Sequence, residues 1–319
     1  MPTLTNPLRP ALLAAARSER MERTITHSKI TRRLVTKFVP GASQDAAVEA
    51  VRALTTAGRF ISVDYLGEDI SEASEADQTV TAYLSLLDAY ASLGIDPVAG
   101  ARPLEVSIKL SALGQSLPGG EELALANART ICAAAEQAGS WVNVDAEDHT
   151  TTDSTLRIVR ELRQEFPSVA TVLQAYLHRT EDDCRELAGP GSRIRLCKGA
   201  YREPAEVAYQ SKQEVTDSYL RCLKILMAGQ GYPMVASHDP QIISSAQAYA
   251  LAAGRDASGF EIQMLYGIRD AEQSRLIADG LHVRTYLPFG NDWYGYFMRR
   301  LAERPANLVF FLRALVGRN

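Results

Sequence analysis

Short apolar runs alternate along this chain with longer segments of helical spacing. RFISVDYL at 59–66 predicts a strand. EADQTVTAYLSLLDAYASLG at 75–94 repeats its apolar positions three and four residues apart and ends on a glycine, which predicts a helix and its stop. LEVSIKLSAL at 104–113 is the next strand, followed by an Ala-rich helix from Glu121 to Ala138. WVNVDAE at 141–147 precedes a helix that starts near Asp153 and ends before Pro167. VATVLQAYL at 169–177 and RIRLCKGAY at 193–201 are the fourth and fifth strands. A helix over 205–229 leads to YPMVASHD at 232–239, and one from Pro240 to Ala253 leads to FEIQML at 260–265. The last pair is a helix from Ile268 to Asp279 and the strand LHVRTYLPFG at 281–290. A further helix holds YFMRRLAERPAN, 296–307.

Strands alternating with helices predict parallel strands joined by crossovers. Eight such units in about 260 residues match a (β/α)8 barrel, in the α/β class. A doubly wound sheet is the alternative. For a dinucleotide it needs a G-x-G-x-x-G turn after its first strand, and the chain contains none. Residues 1–58 are expected to form an N-terminal helical arm with basic character, as in SKITRRLVTKFVP, and 59–319 the barrel.

Barrel chemistry sits where strands end and βα loops begin. The polar residues that interrupt the apolar runs there are Lys109, Asp145, Gln174, Arg195 with Lys198, His238, Gln263 and Tyr286. Each has a bland explanation. A strand lysine can snorkel, Asp145 can cap a helix, and the glutamines can satisfy backbone groups. His238 can sit in a turn, and Arg195 can pair with a carboxylate. A ring of them is harder to explain, because a barrel interior filled only for packing favours Val, Ile and Leu.

The final helix adds Arg299 and Arg300, about 100° apart around its axis. Tyr296 precedes them and Glu303 follows them by three and four residues, so all share one face. An exposed ion-pair face is the plain alternative. The tight turn LPFGNDW, however, starts this helix beside the barrel mouth. If Lys109, Arg299 and Arg300 share a pocket with Asp145 and Glu303, one positive charge is unmatched. A single substrate carboxylate would neutralise it, held by bidentate arginine contacts.

The 319 residues are 46% hydrophobic and 23% charged, the balance of a globular enzyme. A net charge of -4 argues against a broad nucleic-acid surface. Cys132, Cys184, Cys197 and Cys222 are scattered, with no C-x-x-C pair, so neither a disulfide framework nor a zinc site is expected. A reducing cytoplasm suits that usage. No apolar stretch approaches the ~18 residues of a membrane span, and ALLAAA followed by RSERMER lacks the form of a signal peptide. Peripheral contact at a membrane face is left open.

VSIKLSAL, VNVDAE, LQAYL, RIRLCKGAY, VASHD, EIQMLYG and RTYLPFGNDWYGYFMRRLAERPAN, in this order, resemble the proline dehydrogenase family in its single-function form. The resemblance runs from YLGED at 65–69 to the last helix. It implies a distorted (β/α)8 barrel with the final helix over the mouth. It implies oxidation of L-proline to Δ1-pyrroline-5-carboxylate by non-covalent FAD, with electrons passed to a quinone. It further implies that the product can go on to a pyrroline-5-carboxylate dehydrogenase partner. By motif match, Lys109, Arg299 and Arg300 bind the carboxylate, while Tyr286 and Tyr296 enclose the ring. Asp145 and Arg195 are active-site residues, with Arg195 near flavin N5. Val144, Gln174, Arg195, Lys198, Gly199, Ala200, Ser237, His238, Gln263 and Glu303 are cofactor-side positions. Ser237 stands where the family often has Thr and keeps the hydroxyl.

In this reading Arg195 and Lys198 are the cations that stabilise reduced flavin. The small residues after Lys198 leave room for close approach of the cofactor. Asp145, between cations, is expected to orient Tyr286 and Lys109 rather than act as a base. Two other classes compete. One is a barrel lyase or aldolase with a Schiff base on Lys109 or Lys198. The other is a non-catalytic barrel that binds anionic metabolites.

Overall fold

The structure is a computed structural model, which describes Val35, residues 38–67 and residues 70–297. Eight strands close into a barrel in chain order, with every neighbouring pair parallel. They are β1 (Phe60–Tyr65), β2 (Leu104–Ile108), β3 (Trp141–Val144), β4 (Ala170–Gln174), β5 (Arg193–Cys197), β6 (Tyr232–Ala236), β7 (Glu261–Leu265) and β8 (His282–Phe289). All eight predicted strands are present, and β8 closes on β1.

Several predicted strands run too far at the mouth. After β2 the chain turns through a 3-10 turn at Ser111–Leu113, whose Ser111 N–H donates to Glu147 Oε1 at 3.0 Å. Leu110 and Leu113 are nonetheless buried in the main core. Apolar character therefore continues beyond the ladder, and the pattern cannot show where pairing stops.

The helices are α1 (Gln44–Thr56), α2 (Ala73–Ala91), α3 (Gly120–Gln137), α4 (Thr152–Glu165), α5 (Thr180–Leu187), α6 (Lys212–Ala228), α7 (Pro240–Ala252) and α8 (Asp270–Ala278). The pattern of apolar positions does not locate α5. It has only 8 residues, and its first turn is Glu181, Asp182 and Asp183. Helix α6 starts later than the predicted residue 205. Its start is set by Ser211, whose hydroxyl accepts from Glu214 N while the Glu214 carboxylate accepts from Ser211 N. Residues before it stay extended enough for Ala208 to bridge Leu177.

Helix α1 packs against β1, β8 and α2, where the closing helix of a regular barrel would lie. Residues 293–297 begin a helix after β8. Its Tyr294, Tyr296 and Phe297 form an apolar cluster with Val35, Phe38, Val39, Leu66 and Ile268, against which Leu265 and Tyr286 pack. Leu66 and Ile268 follow β1 and β7, so this cluster stands at the C-terminal end of the barrel.

Period-two alternation separates the two faces of each strand. Outward positions such as Ile61, Val63, Val106, Ile108, Leu173, Ile194, Val235, Ile262 and Val283 are buried under the helices. Each such side chain contributes about 1.5–3 kcal/mol of burial. Inward positions carry charge. Lys109, Arg193, Arg195 and Arg284 are matched by Asp64, Glu105, Asp145 and Glu261 around the interior. No helix among the described residues is long and apolar enough to cross a membrane.

Candidate active site

Asp145 is the hub of the mouth. It follows β3 directly, its N–H bonded to Ile108 O at 2.8 Å, which turns its side chain inward over β2. Oδ1 accepts from Ser107 Oγ at 2.8 Å, Asn143 Nδ2 at 2.9 Å and Arg195 Nη1 at 2.8 Å. Oδ2 accepts from the Tyr286 hydroxyl at 3.0 Å. Strands β2, β3, β5 and β8 therefore meet on one carboxylate. Tyr286 and Asp145, expected to work together, are thus in direct contact. Burial, reinforced by Asp145 and Asp64, holds the Tyr286 phenol well above its ordinary pKa, so it stays a donor.

Lys109 follows β2 in the same way. Its ammonium donates to both Asp64 oxygens at 2.7 Å. Asp64 is 1% exposed. Burial lifts its carboxyl above the usual range, while Lys109 pulls it back down. The pocket charge count made from the sequence omitted Asp64 and Arg195, and both belong in it. Lys109 is thus paired with Asp64, a carboxylate that the sequence reading did not place beside it.

Arg195 projects from β5 across the barrel. Nη1 donates to Ser107 Oγ and Asp145, and Nη2 to Ser62 Oγ at 2.9 Å and Glu105 Oε1 at 2.7 Å. Its Nε is buried and has no hydrogen-bond partner among the described residues. The guanidinium carbon lies 5.4 Å from the Tyr286 ring centroid.

The remaining candidates line the rim. Gln174 Nε2 donates to Glu147 O at 2.8 Å, and Gln263 Nε2 to Glu261 Oε1. Lys198 Nζ is 3.0 Å from both Asp239 Oδ2 and Thr216 Oγ1, and 37% of its side chain is exposed. Ser237 Oγ accepts from Asp239 N at 3.1 Å, and His238 Nε2 accepts from Leu265 N at 3.0 Å. Tyr296 lies in the cluster over the mouth. Arg299, Arg300 and Glu303 lie outside the described residues.

The surroundings of two further candidates bear on how they could act. Val144 faces outward into the apolar core, so it can meet a ligand in the mouth only through its main chain. Gly199 is small for an internal reason. Its φ is +114°, and a Cβ there would come within 2.5 Å of the Tyr176 ring. Tyr176 in turn donates to Glu203 at 3.3 Å, and Glu203 also accepts from His149 N at 2.9 Å. The loops after β3, β4 and β5 are tied together through that carboxylate.

Asp64, Glu105, Ser62, Ser107, Arg193, Glu261 and Arg284 were missed. The signal was available. Glu105, Ser107 and Lys109 are spaced by two, as are Arg193 and Arg195, or Arg284 and Tyr286. The counter-charges lie at inward positions one or two steps below the polar residue at each strand end.

A proline dehydrogenase family profile matches residues 47–313. This chain belongs to the proline dehydrogenase family. A proline dehydrogenase of Deinococcus radiodurans is 42% identical over 286 residues, covering 89% of this chain and 90% of that protein. Proline dehydrogenase 1 of Bacillus subtilis is 38% identical over 280 residues, covering 88% and 90%. Among solved structures, proline utilization A of Bdellovibrio bacteriovorus, inactivated by N-propargylglycine, superposes with a TM-score of 0.79 at 24% identity, over 91% of this chain. That of Bradyrhizobium japonicum gives 0.73 at 22%. The chain spans only 36% of the Bdellovibrio protein and 33% of the Bradyrhizobium one, so those likenesses speak to the barrel alone. Within the family match lie the barrel, the Asp145 hub and both arginines that follow β8.

Proposed function

We propose that this chain is an oxidoreductase that converts L-proline to Δ1-pyrroline-5-carboxylate with bound FAD and passes the electrons to a quinone. The single observation behind this reading is the Asp145–Arg195–Tyr286 constellation at the barrel mouth, in a chain matched to the family over 47–313. The donor set suits a flavin. Arg195 holds a buried N–H unmet among the described residues, Lys198 offers a part-exposed ammonium, and Gln174, Ser237, His238 and Gln263 ring the same rim. A bound flavin would take the hydride released from C5 of the substrate. Ala200, the main chain of Val144 and Glu303 are proposed on the cofactor side with them.

The residues of the chain then have distinct tasks. Lys109, Arg299 and Arg300 are proposed to grip the substrate carboxylate, and Tyr296 and Tyr286 to enclose the ring. Asp145 holds Tyr286 and Arg195 in place. With four donors on it, Asp145 is a positioning carboxylate. The amine proton must leave before C5 releases hydride, because a protonated nitrogen has no lone pair to push. The relatives named bifunctional protein PutA cover this chain as one part of a longer protein. A separate dehydrogenase for the pyrroline product, and peripheral contact with a quinone-bearing membrane, belong to the same proposal.

The Schiff-base reading loses ground at Lys109, whose ammonium is locked between both oxygens of a buried carboxylate. Anaerobic addition of L-proline to the purified chain tests the proposal. Bleaching of a yellow flavin band is expected, with reoxidation by a soluble quinone. A colourless protein, or borohydride trapping of a keto acid on Lys198, would overturn it. Arg299→Met and Arg300→Met are each expected to raise the proline KM more than tenfold, on the order of 2 kcal/mol of lost binding.

A further inference from the structure

Arg195 has five N–H groups. Ser107 and Asp145 take those of Nη1, and Ser62 and Glu105 take those of Nη2. Only Nε–H is left, and it is buried without an acceptor among the described residues. The four acceptors come from β1, β2 and the end of β3, so the guanidinium is fixed in its plane from one side of the barrel. Glu105 is the anchor at the lower end of that set. It is 0% exposed, and its other oxygen binds Arg193. The Ser62 hydroxyl donates to Glu105 at 2.7 Å and accepts from Arg195, which closes a three-membered ring.

We infer that Glu105 is a positioning residue for the reaction. It clamps Arg195 against the pull of Asp145, so that the remaining Nε–H is the donor presented to the group bound in the mouth. This inference rests on the function proposed above. Glu105 is suited to a permanent role. Burial pushes its carboxyl up, but Arg284, Arg193 and Arg195 together outweigh this and bring it down to about 2, so it is ionised near neutral pH. Without that charge Arg195 would be held by Asp145 and the two serines alone. The guanidinium would turn, and the mouth would become more positive.

The test compares wild type with Glu105→Gln and Ser62→Ala as purified flavoproteins. For Glu105→Gln, kcat is expected to fall more than tenfold with little change in the proline KM, because the carboxylate grip is untouched. The midpoint potential of its flavin is expected to move positive, since a more positive site favours the reduced, anionic flavin. Ser62→Ala removes the linking hydroxyl without stranding a charge, and should shift both quantities in the same direction by less. A lowered unfolding temperature with unchanged potential and kcat would make Glu105 purely structural and overturn the inference. If Glu105→Gln does not fold, an unchanged Ser62→Ala overturns it. The wild-type control separates the two levels. Failure of proline to bleach wild type sinks the proposed function and this inference with it. Bleaching in wild type with indistinguishable variants sinks only the role of Glu105.

Discussion

Two arginines point into the same barrel and end in different states. Arg284, low on β8, spends all five N–H groups on the protein. Nε and Nη2 bind Glu261 at 2.7 and 3.0 Å, and the rest reach Ile61 O, Pro103 O and Arg102 O. Arg195, nearer the mouth, keeps one donor unmet among the described residues. Both are buried, and both face carboxylates. Charge inside a barrel is therefore not in itself a sign of chemistry. The floor uses charge to close the bottom of the barrel against its own main chain, whereas the mouth leaves valence over. Arg193 is intermediate. Its Nε also lacks an acceptor among the described residues, while its guanidinium carbon lies 3.6 Å from the Trp141 ring centroid, a contact that stabilises the cation.

The sharpest way to break this contrast is to remove the floor. Arg284→Met strands the Glu261 carboxylate in a fully buried site, at a cost of about 3–5 kcal/mol. The expected result is a large drop in the urea midpoint, with near-normal turnover in whatever fraction folds. Normal stability with lost turnover would reverse the assignment of floor and mouth.

Glu105 links the two regions, and its contribution depends on pH. Its folded value, about 2, lies below the ordinary 4.5. A depressed carboxyl adds stability that is fully present above the ordinary value and is lost as pH falls through the folded one. The stake is roughly 3 kcal/mol. The stability advantage of wild type over Glu105→Gln should therefore narrow steadily between pH 5 and pH 2 in urea titrations. A constant gap would mean that the three arginines do not hold the charge as described.

At the mouth the effects turn kinetic. Asp145→Asn keeps the shape but weakens the bonds to Arg195 and Tyr286, a loss of about 2 kcal/mol. Turnover with proline should fall roughly thirtyfold with flavin content unchanged. Loss of bound flavin would place Asp145 with the floor, as a structural residue.

Much of this was legible beforehand, for identifiable reasons. The eight strands could be read because their outward faces are steadily apolar, as in Ile61, Val63, Val106 and Ile108. The barrel followed from the count of units, and Asp145, Arg195 and Tyr286 followed from their place at strand ends. Helix α5 was not legible, being short, acidic and buried mainly through Thr180, Asp183 and Cys184. The pairing of Lys109 with Asp64 was not legible either. It depends on β1 lying beside β2 in register, Asp64 opposite Ser107, which no local pattern states. The small size of Gly199 was noticed, but its cause, the Tyr176 ring, lies 23 residues earlier on another strand's loop.

The finest test concerns the contact between Tyr286 and Asp145. Tyr286→Phe deletes one hydroxyl and leaves the ring packed against the apolar cluster over the mouth. Asp145 keeps Ser107, Asn143 and Arg195, so its position should hardly change. About 1 kcal/mol is expected, or roughly a fivefold loss in kcat/KM for proline. The double variant with Asp145→Asn decides whether the hydroxyl acts through that carboxylate. If it does, the two losses are not additive, because the bond can be broken only once, and the cycle gives a coupling of about 1 kcal/mol. Full additivity would mean that Tyr286 meets the substrate independently. The mouth would then be two neighbouring sites and not one constellation centred on Asp145.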